Sequence, residues 1–140
     1  RADCIVINGK KNIEFENKIL KEKDIKIFYS KYIPENIDKF KNNKIIAFAG
    51  IGNPINFIDL LKEYNLNIVD TISFPDHYTY KANDIDLLKK KANKVNATLV
   101  TTEKDYIRLD NSLKTNINYL KVKLEIENKE RLIELLKSKL

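Results

Sequence analysis

Between residues 44 and 101 the chain alternates short, continuous apolar runs with stretches of helical spacing, and this alternation constrains its fold more than any other feature. Ile45-Ile46-Ala47-Phe48-Ala49 is apolar throughout, as in a strand covered on both faces. Gly50-Ile51-Gly52 follows as a tight strand-to-helix turn, Asn53 suits a helix N-cap and Pro54 the first helical position. Ile55, Ile58 and Leu61 then share a helix face. Residues 67–74 read as a second strand. Asn83 can cap a helix in which Ile85, Leu88, Ala92 and Val95 recur at steps of three and four. Residues 97–101 form a third strand, and Thr102-Glu103-Lys104-Asp105 opens a short helix with Thr102 as cap and Asp105 in its first turn. Strand and helix in alternation predict an α/β fold: a mainly parallel sheet with helices on both faces.

The flanks carry weaker signals. Residues 4–7 read as a buried strand and residues 25–29 as another, while residues 10–24 are polar and give no assignment. Residues 34–43 read as a loop or short helical turn. Leu120, Val122, Leu124 and Ile126 alternate as in one half-exposed strand, and Leu132, Leu136 and Leu140 share a face of a final helix. No internal repeat or interdomain linker is visible.

A chain of 140 residues that is 43% hydrophobic, with three prolines and three glycines, can bury a core and is not of low complexity. No apolar run approaches the roughly 20 residues of a membrane-spanning helix, and no signal peptide is visible at the start. Cys4 is the sole cysteine, so no internal disulfide forms, and a reducing compartment such as the cytosol is the simple reading. The chain opens at Arg1 rather than at a methionine, as a processed or dissected piece would.

The formal net charge of +6 is carried by lysine, with arginine only at Arg1, Arg108 and Arg131. Base-reading sites favour arginine's planar fork, so the balance argues against nucleic acid as a partner. Lys89-Lys90-Lys91 lies on a helical stretch, where a solvated face is the simple reading and phosphate contact the alternative.

Three segments carry candidate chemistry. Phe74-Pro75-Asp76-His77-Tyr78 holds the sole histidine, placed just after a strand and beside an acid. Ligands of open α/β sheets gather at strand carboxyl ends, and histidine alone has an unperturbed pKa near neutrality. His77 with Asp76 therefore suits a general base oriented by a carboxylate, or else a polar loop making structural hydrogen bonds. Gly50, Gly52 and Asn53 belong to a turn with the ingredients of an anion site, a backbone open to close approach and a helix N-terminus. The alternative is a tight turn that needs positive φ. It is not a dinucleotide fingerprint, because Ile55 stands at the third glycine position. Thr102, Glu103, Lys104 and Asp105 would line the same edge as His77, or form a capped helix start with Lys104 and Asp105 paired locally.

Other sites are excluded. Gly9-Lys10 is no phosphate loop, because Cys4 stands at the first glycine position and Lys11 where a magnesium-binding hydroxyl belongs. One histidine and one cysteine cannot supply a zinc site.

Taken in order, Phe48-Ala49-Gly50-Ile51-Gly52-Asn53-Pro54, Phe74-Pro75-Asp76-His77-Tyr78 and Thr101-Thr102-Glu103-Lys104-Asp105 with Arg108-Leu109 resemble the C-terminal part of the tetraacyldisaccharide 4'-kinases, the lipid A 4'-kinases. Tyr78 stands where many members carry a second histidine, and Arg108 where many carry lysine. The resemblance implies the C-terminal portion of a P-loop kinase-like fold over residues 1–140, without the N-terminal nucleotide-binding half. It implies transfer of the ATP γ-phosphate to the 4'-hydroxyl of a tetraacyldisaccharide 1-phosphate, with ATP and Mg2+ held mainly by that N-terminal half. This chain alone would be inactive. His77 would pair with an aspartate of the N-terminal half to deprotonate the sugar hydroxyl, with Asp76 orienting it. Gly50, Gly52, Asn53, Thr102, Glu103, Lys104 and Asp105 would shape the cleft. The implied partners are that N-terminal half, the lipid A disaccharide precursor and the anionic inner face of the Gram-negative inner membrane, which would attract the lysines. Two readings stand against it: a non-catalytic α/β module binding a phosphorylated ligand, and a basic nucleic-acid-binding domain.

Overall fold

A computed structural model of the chain describes residues 2–21 and 25–139. In chain order the elements are β1 (Cys4–Asn8), α1 (Ile13–Leu20), β2 (Lys26–Pro34), β3 (Lys44–Ala49), α2 (Pro54–Glu63), β4 (Asn67–Ser73), α3 (Ala82–Val95), β5 (Ala97–Thr102), α4 (Glu103–Arg108), β6 (Ile117–Leu120), β7 (Val122–Ile126) and α5 (Lys129–Lys137). Short 3-10 turns lie at Ile37–Phe40 and Asn111–Leu113. The chain divides into two compact units, residues 34–122 and the two flanking segments.

The larger unit holds a four-stranded sheet in the order β4-β3-β5-β6. β3 runs parallel to both β4 and β5, and β5 parallel to β6. β3 is the centre of the core, with Ile45, Ile46, Ala47, Phe48 and Ala49 all buried. Its side chains alternate between two layers, as the two-residue period of a strand dictates. Ile45, Ala47 and Ala49 pack with Phe57 and Leu61 of α2, whereas Ile46 and Phe48 pack with Ile85, Leu88 and Ala92 of α3. The mainly parallel sheet with helices on both faces is thus the fold of this unit, and a continuous apolar run was its signature.

The smaller unit holds a three-stranded sheet in the order β1-β2-β7, with β1 parallel to β2. β1, expected to be buried, is only partly covered. α1 lies within the polar stretch that gave no assignment. Asn12 caps it by accepting from the Phe15 N–H at 2.9 Å, and the Tyr29 hydroxyl of β2 donates to Glu16 at 2.7 Å.

Several boundaries differ from expectation. The alternation from Leu120 to Ile126 is not one strand, because β6 and β7 belong to different sheets. α2 buries Phe57 and Leu61, while Ile55 is exposed. α3 begins after Lys81 rather than at Asn83, because the Asp84 carboxylate accepts from the Lys81 N–H at 2.9 Å and fixes the first turn. Val95 and Leu136 are exposed, and Leu140, Arg1 and residues 22–24 lie outside the described residues. The lysine triplet is not uniformly solvated: Lys89 Nζ donates to the Leu113 carbonyl at 3.2 Å and Lys91 pairs with Asp70, while Lys90 is exposed.

Among the described residues, six non-glycine positions have positive φ, namely Asn42, Asn65, His77, Asn96, Asn116 and Asn128. Asparagine tolerates the left-handed region better than other residues with a Cβ. A chain with three glycines therefore makes its left-handed turns with asparagine. His77, at φ +57°, is the exception.

Candidate active site at the carboxyl edge of the sheet

Parallel pairing puts the carboxyl ends of β3, β4 and β5 on one edge of the four-stranded sheet. The chain leaves β3 for β4 on one side and then crosses to β5 on the other, so the strand order reverses around β3. Such a reversal opens a crevice at the carboxyl edge, where ligands of α/β sheets bind. The Gly50 turn, the His77 loop and the start of α4 all emerge there.

These segments meet at the Gly50 peptide. Its N–H donates to Asp105 Oδ2 at 3.1 Å. Its carbonyl accepts from the His77 N–H at 3.1 Å and from Arg108 Nη1 at 3.0 Å. Asp105 is fully buried, and the Thr102 hydroxyl donates to the same Oδ2 at 2.7 Å. Thr102 Oγ1 in turn accepts from the Asp105 N–H at 3.1 Å, which is the expected helix cap. Asp105 Oδ1 has Arg108 Nη1 at 3.4 Å, so the local partner of Asp105 is Arg108 and not Lys104. Below the turn, the buried Thr101 hydroxyl donates to the Phe48 carbonyl at 2.7 Å and ties β5 to β3.

The glycines are needed for space and not for positive φ, which neither adopts. A Cβ on Gly50 would lie 2.9 Å from the Tyr80 hydroxyl, 3.2 Å from Tyr78 Cβ and 3.3 Å from Asp105 Oδ1. A Cβ on Gly52 would lie 3.1 Å from Asp76 Oδ2. The expected positive φ at this turn is corrected accordingly. Asn53 occupies the N-cap position of α2, but its side chain makes no capping hydrogen bond and the first turn holds no acid.

His77 and Asp76 project from the edge. The imidazole is 84% exposed, with Nε2 3.7 Å from Asp76 Oδ2. Asp76 Oδ1 accepts from the His77 N–H at 2.9 Å, so the carboxylate holds the backbone of its neighbour as well as standing beside the ring. Glu103 is half-buried and Lys104 exposed on α4. The structure therefore brings Gly50, Asp105 and Thr102 into direct contact, and Asp76 against Gly52. Glu103, Lys104 and Asn53 stand at the same edge without joining that network.

Tyr80 escaped the sequence reading. It is buried, and it packs edge-on against Phe48, Phe74 and Tyr78 at ring-centroid distances of 5.7, 5.1 and 5.4 Å. Its hydroxyl makes no hydrogen bond, as is also true of Asp105 Oδ1. Burial, and then the Asp105 charge beside it, push the phenol far above its ordinary pKa. The spacing of Phe74, Tyr78 and Tyr80 was the available signal of an aromatic plug under the His77 loop. Tyr78 in turn donates from its hydroxyl to Asp84 at 3.0 Å, tying the loop to α3, and that carboxylate raises the Tyr78 pKa.

Comparison with known proteins places this arrangement. The family model for tetraacyldisaccharide-1-P 4'-kinase matches residues 1–140. The tetraacyldisaccharide 4'-kinase of Pelagibacter ubique is 44% identical over 110 residues, covering 78% of this chain and 35% of that protein. That of Rickettsia akari is 42% identical over 134 residues, covering 95% of this chain and 40% of its own length. The chain thus spans 35% to 40% of the length of these curated relatives. Among solved structures, LpxK from Aquifex aeolicus, an "apo" form in complex with ATP, superposes with a TM-score of 0.59 at 21% identity. That match covers 98% of this chain and 42% of the other, and at this identity it shows the fold alone, the kinase fold that the resemblance implied. A match across all 140 residues, together with relatives above 40% identity, shows that the chain belongs to the tetraacyldisaccharide-1-P 4'-kinase family.

Proposed function

We propose that this chain supplies the C-terminal part of a lipid A 4'-kinase, which transfers the γ-phosphate of ATP to the 4'-hydroxyl of a tetraacyldisaccharide 1-phosphate. The observation that carries the reading is the meeting of the His77 loop, the Gly50 turn and α4 on the backbone of one residue, Gly50, at the switch-point edge of the sheet. In the transfer, the sugar oxygen bonds to the γ-phosphorus and the bond from that phosphorus to the β,γ-bridging oxygen breaks. ADP leaves, and the hydroxyl proton passes to His77. A sugar hydroxyl is a weak nucleophile, and phosphoryl transfer depends on positioning and charge stabilisation more than on covalent chemistry. An exposed imidazole, fixed at the backbone and flanked by Asp76, suits that task, and the aspartate of the N-terminal half would complete the pair.

ATP is bound by the chain only in combination with that N-terminal half, which supplies the phosphate loop. Mg2+ would likewise be held mainly by that half, as the family resemblance implies. No described helix is long and apolar enough to cross a membrane. The lipid acceptor and the anionic inner face of the inner membrane would be met at the periphery, with the lysine excess as the attraction.

The test is a chimera in which this chain replaces the matching segment of the Rickettsia akari relative. The chimera is expected to phosphorylate the disaccharide, and this chain alone is expected not to. Within the chimera His77→Ala should lower kcat by about a hundredfold or more, the range of general acid–base catalysis, with little change in KM for ATP. Activity of the isolated chain would overturn the dependence on an N-terminal half, and an unchanged kcat would remove His77 from the mechanism.

A further inference from the structure

The Gly50 peptide is held from every side. Its N–H is taken by Asp105, its carbonyl by the His77 N–H and Arg108, and its Cα is overlaid by the Tyr80 hydroxyl and Tyr78 Cβ. The backbone of Gly50, through the N–H of one peptide unit and the carbonyl of the next, thus stands between a buried carboxylate on α4 and the backbone of the loop that carries the imidazole, and its φ and ψ are fixed by contacts on both sides. The grip is strong at its inner end. A fully buried carboxylate is stable there only when paired and hydrogen-bonded, and Asp105 gains the Gly50 N–H, the Thr102 hydroxyl and Arg108 Nη1. It is weak at its outer end, where His77 sits at φ +57° with an exposed side chain. A residue with a Cβ persists in that region only where its surroundings over-determine it. Two contacts on the His77 N–H do so, one from Asp76 and one from the Gly50 carbonyl.

From this relay we infer that Asp105 is a positioning residue for His77, acting through the backbone of Gly50 and touching no substrate itself. The inference rests on the reading of His77 as the proton acceptor. It assigns Asp105 to orientation, because the carboxylate is fully buried against the turn that follows β3 and is not exposed at the edge. Arg108 belongs to the same device: its guanidinium spans Asp105 and the Gly50 carbonyl, and its side chain is 27% exposed.

Two measurements test the relay. In this chain, Asp105→Asn should raise amide hydrogen exchange at Gly50 and His77 at least about tenfold while Ile46 in the core stays protected, a local opening and not a global one. Where Asp105→Asn fails to fold, Arg108→Met, which frees the Gly50 carbonyl from outside the core, should show the same pattern with a smaller change. Unchanged exchange at His77 in a folded variant overturns the relay. In the chimera, Asp105→Asn should lower kcat about tenfold with KM for ATP nearly constant, and the double variant with His77→Ala should be no slower than His77→Ala alone, since groups acting as a unit are non-additive. Losses that add independently overturn the inference while leaving the catalytic role of His77 in place. An unchanged kcat in His77→Ala overturns that role and the inference with it.

Discussion

The backbone N–H of Gly50 donates to the buried Oδ2 of Asp105 at 3.1 Å, joining residues 55 positions apart in the sequence. The bond ties the turn after β3 to α4, which follows β5, and it forms only if the turn comes close enough. A side chain at Gly50 would meet the Tyr80 hydroxyl at 2.9 Å. Gly50→Ala should therefore destabilise the chain by about 1–3 kcal/mol, the usual cost of overpacking. Tyr80→Phe should be neutral or stabilising, because its hydroxyl is buried without a hydrogen bond. Combined with Gly50→Ala it should recover part of the loss, since the two sites are in contact and couple. Urea denaturation of the four proteins of this cycle measures the coupling, and strictly additive losses would show that the clash lies elsewhere.

Thr102 serves Asp105 twice, donating from its hydroxyl to Oδ2 at 2.7 Å and accepting from the Asp105 N–H at 3.1 Å. Thr102→Val keeps the shape and removes both bonds. It should cost about 1–2 kcal/mol, as for loss of a helix cap beside a buried charge, and Thr102→Ser should keep most of the stability. Equal stability of the valine and serine variants would show that the hydroxyl does not matter.

Much of this site was legible in the sequence because it uses short-range rules. The apolar run at Ile45–Ala49 could only be a doubly covered strand, and Thr102 followed by Asp105 has the spacing of a helix cap. What was not legible depends on long-range contact. Gly50 and Gly52 looked like positive-φ positions, yet their role is to admit Tyr80 and Asp76 from later loops. Asp105 read as a first-turn acid paired locally with Lys104, and only the packing of β3 beside β5 shows it to be buried. The pairing with Arg108 in place of Lys104 follows from the same burial, because Arg108 lies on the inward face of α4 while Lys104 faces solvent. The alternation from Leu120 to Ile126 misled for a related reason: periodicity reports the exposure of each face but not which sheet a strand joins. α1 was hidden because it is only eight residues long, lies in a polar stretch and buries none of its residues.

The backbone of His77 gives a third prediction. At φ +57° glycine is unstrained, whereas alanine keeps the steric conflict of its Cβ. His77→Gly should be more stable than His77→Ala by about 1 kcal/mol, and close to the wild type. Thermal denaturation of the three proteins decides it. Alanine and glycine variants of equal stability would mean that the loop relaxes out of the left-handed region once the histidine is gone.

A fourth prediction concerns pH. Asp70 on β4 pairs with Lys91 of α3, and that hydrogen-bonded ammonium holds the Asp70 carboxyl below its ordinary pKa, with the Thr71 N–H adding at 2.8 Å and partial burial opposing. Because the folded-state value is the lower one, the pair's contribution is complete above the unfolded value of about 3.9 and is lost as pH falls through the folded value. The Asp70 and Lys91 side chains are 34% and 53% exposed, so solvent screening keeps the contribution below about 1 kcal/mol. Asp70→Asn should therefore lower the urea midpoint slightly at pH 6, and the gap to the wild type should shrink as pH falls through the folded value of Asp70. The gap at pH 6 should narrow as ionic strength rises, because salt screens charges exposed to this degree. A gap that does not narrow as pH falls would assign the stabilisation to shape instead of the ion pair.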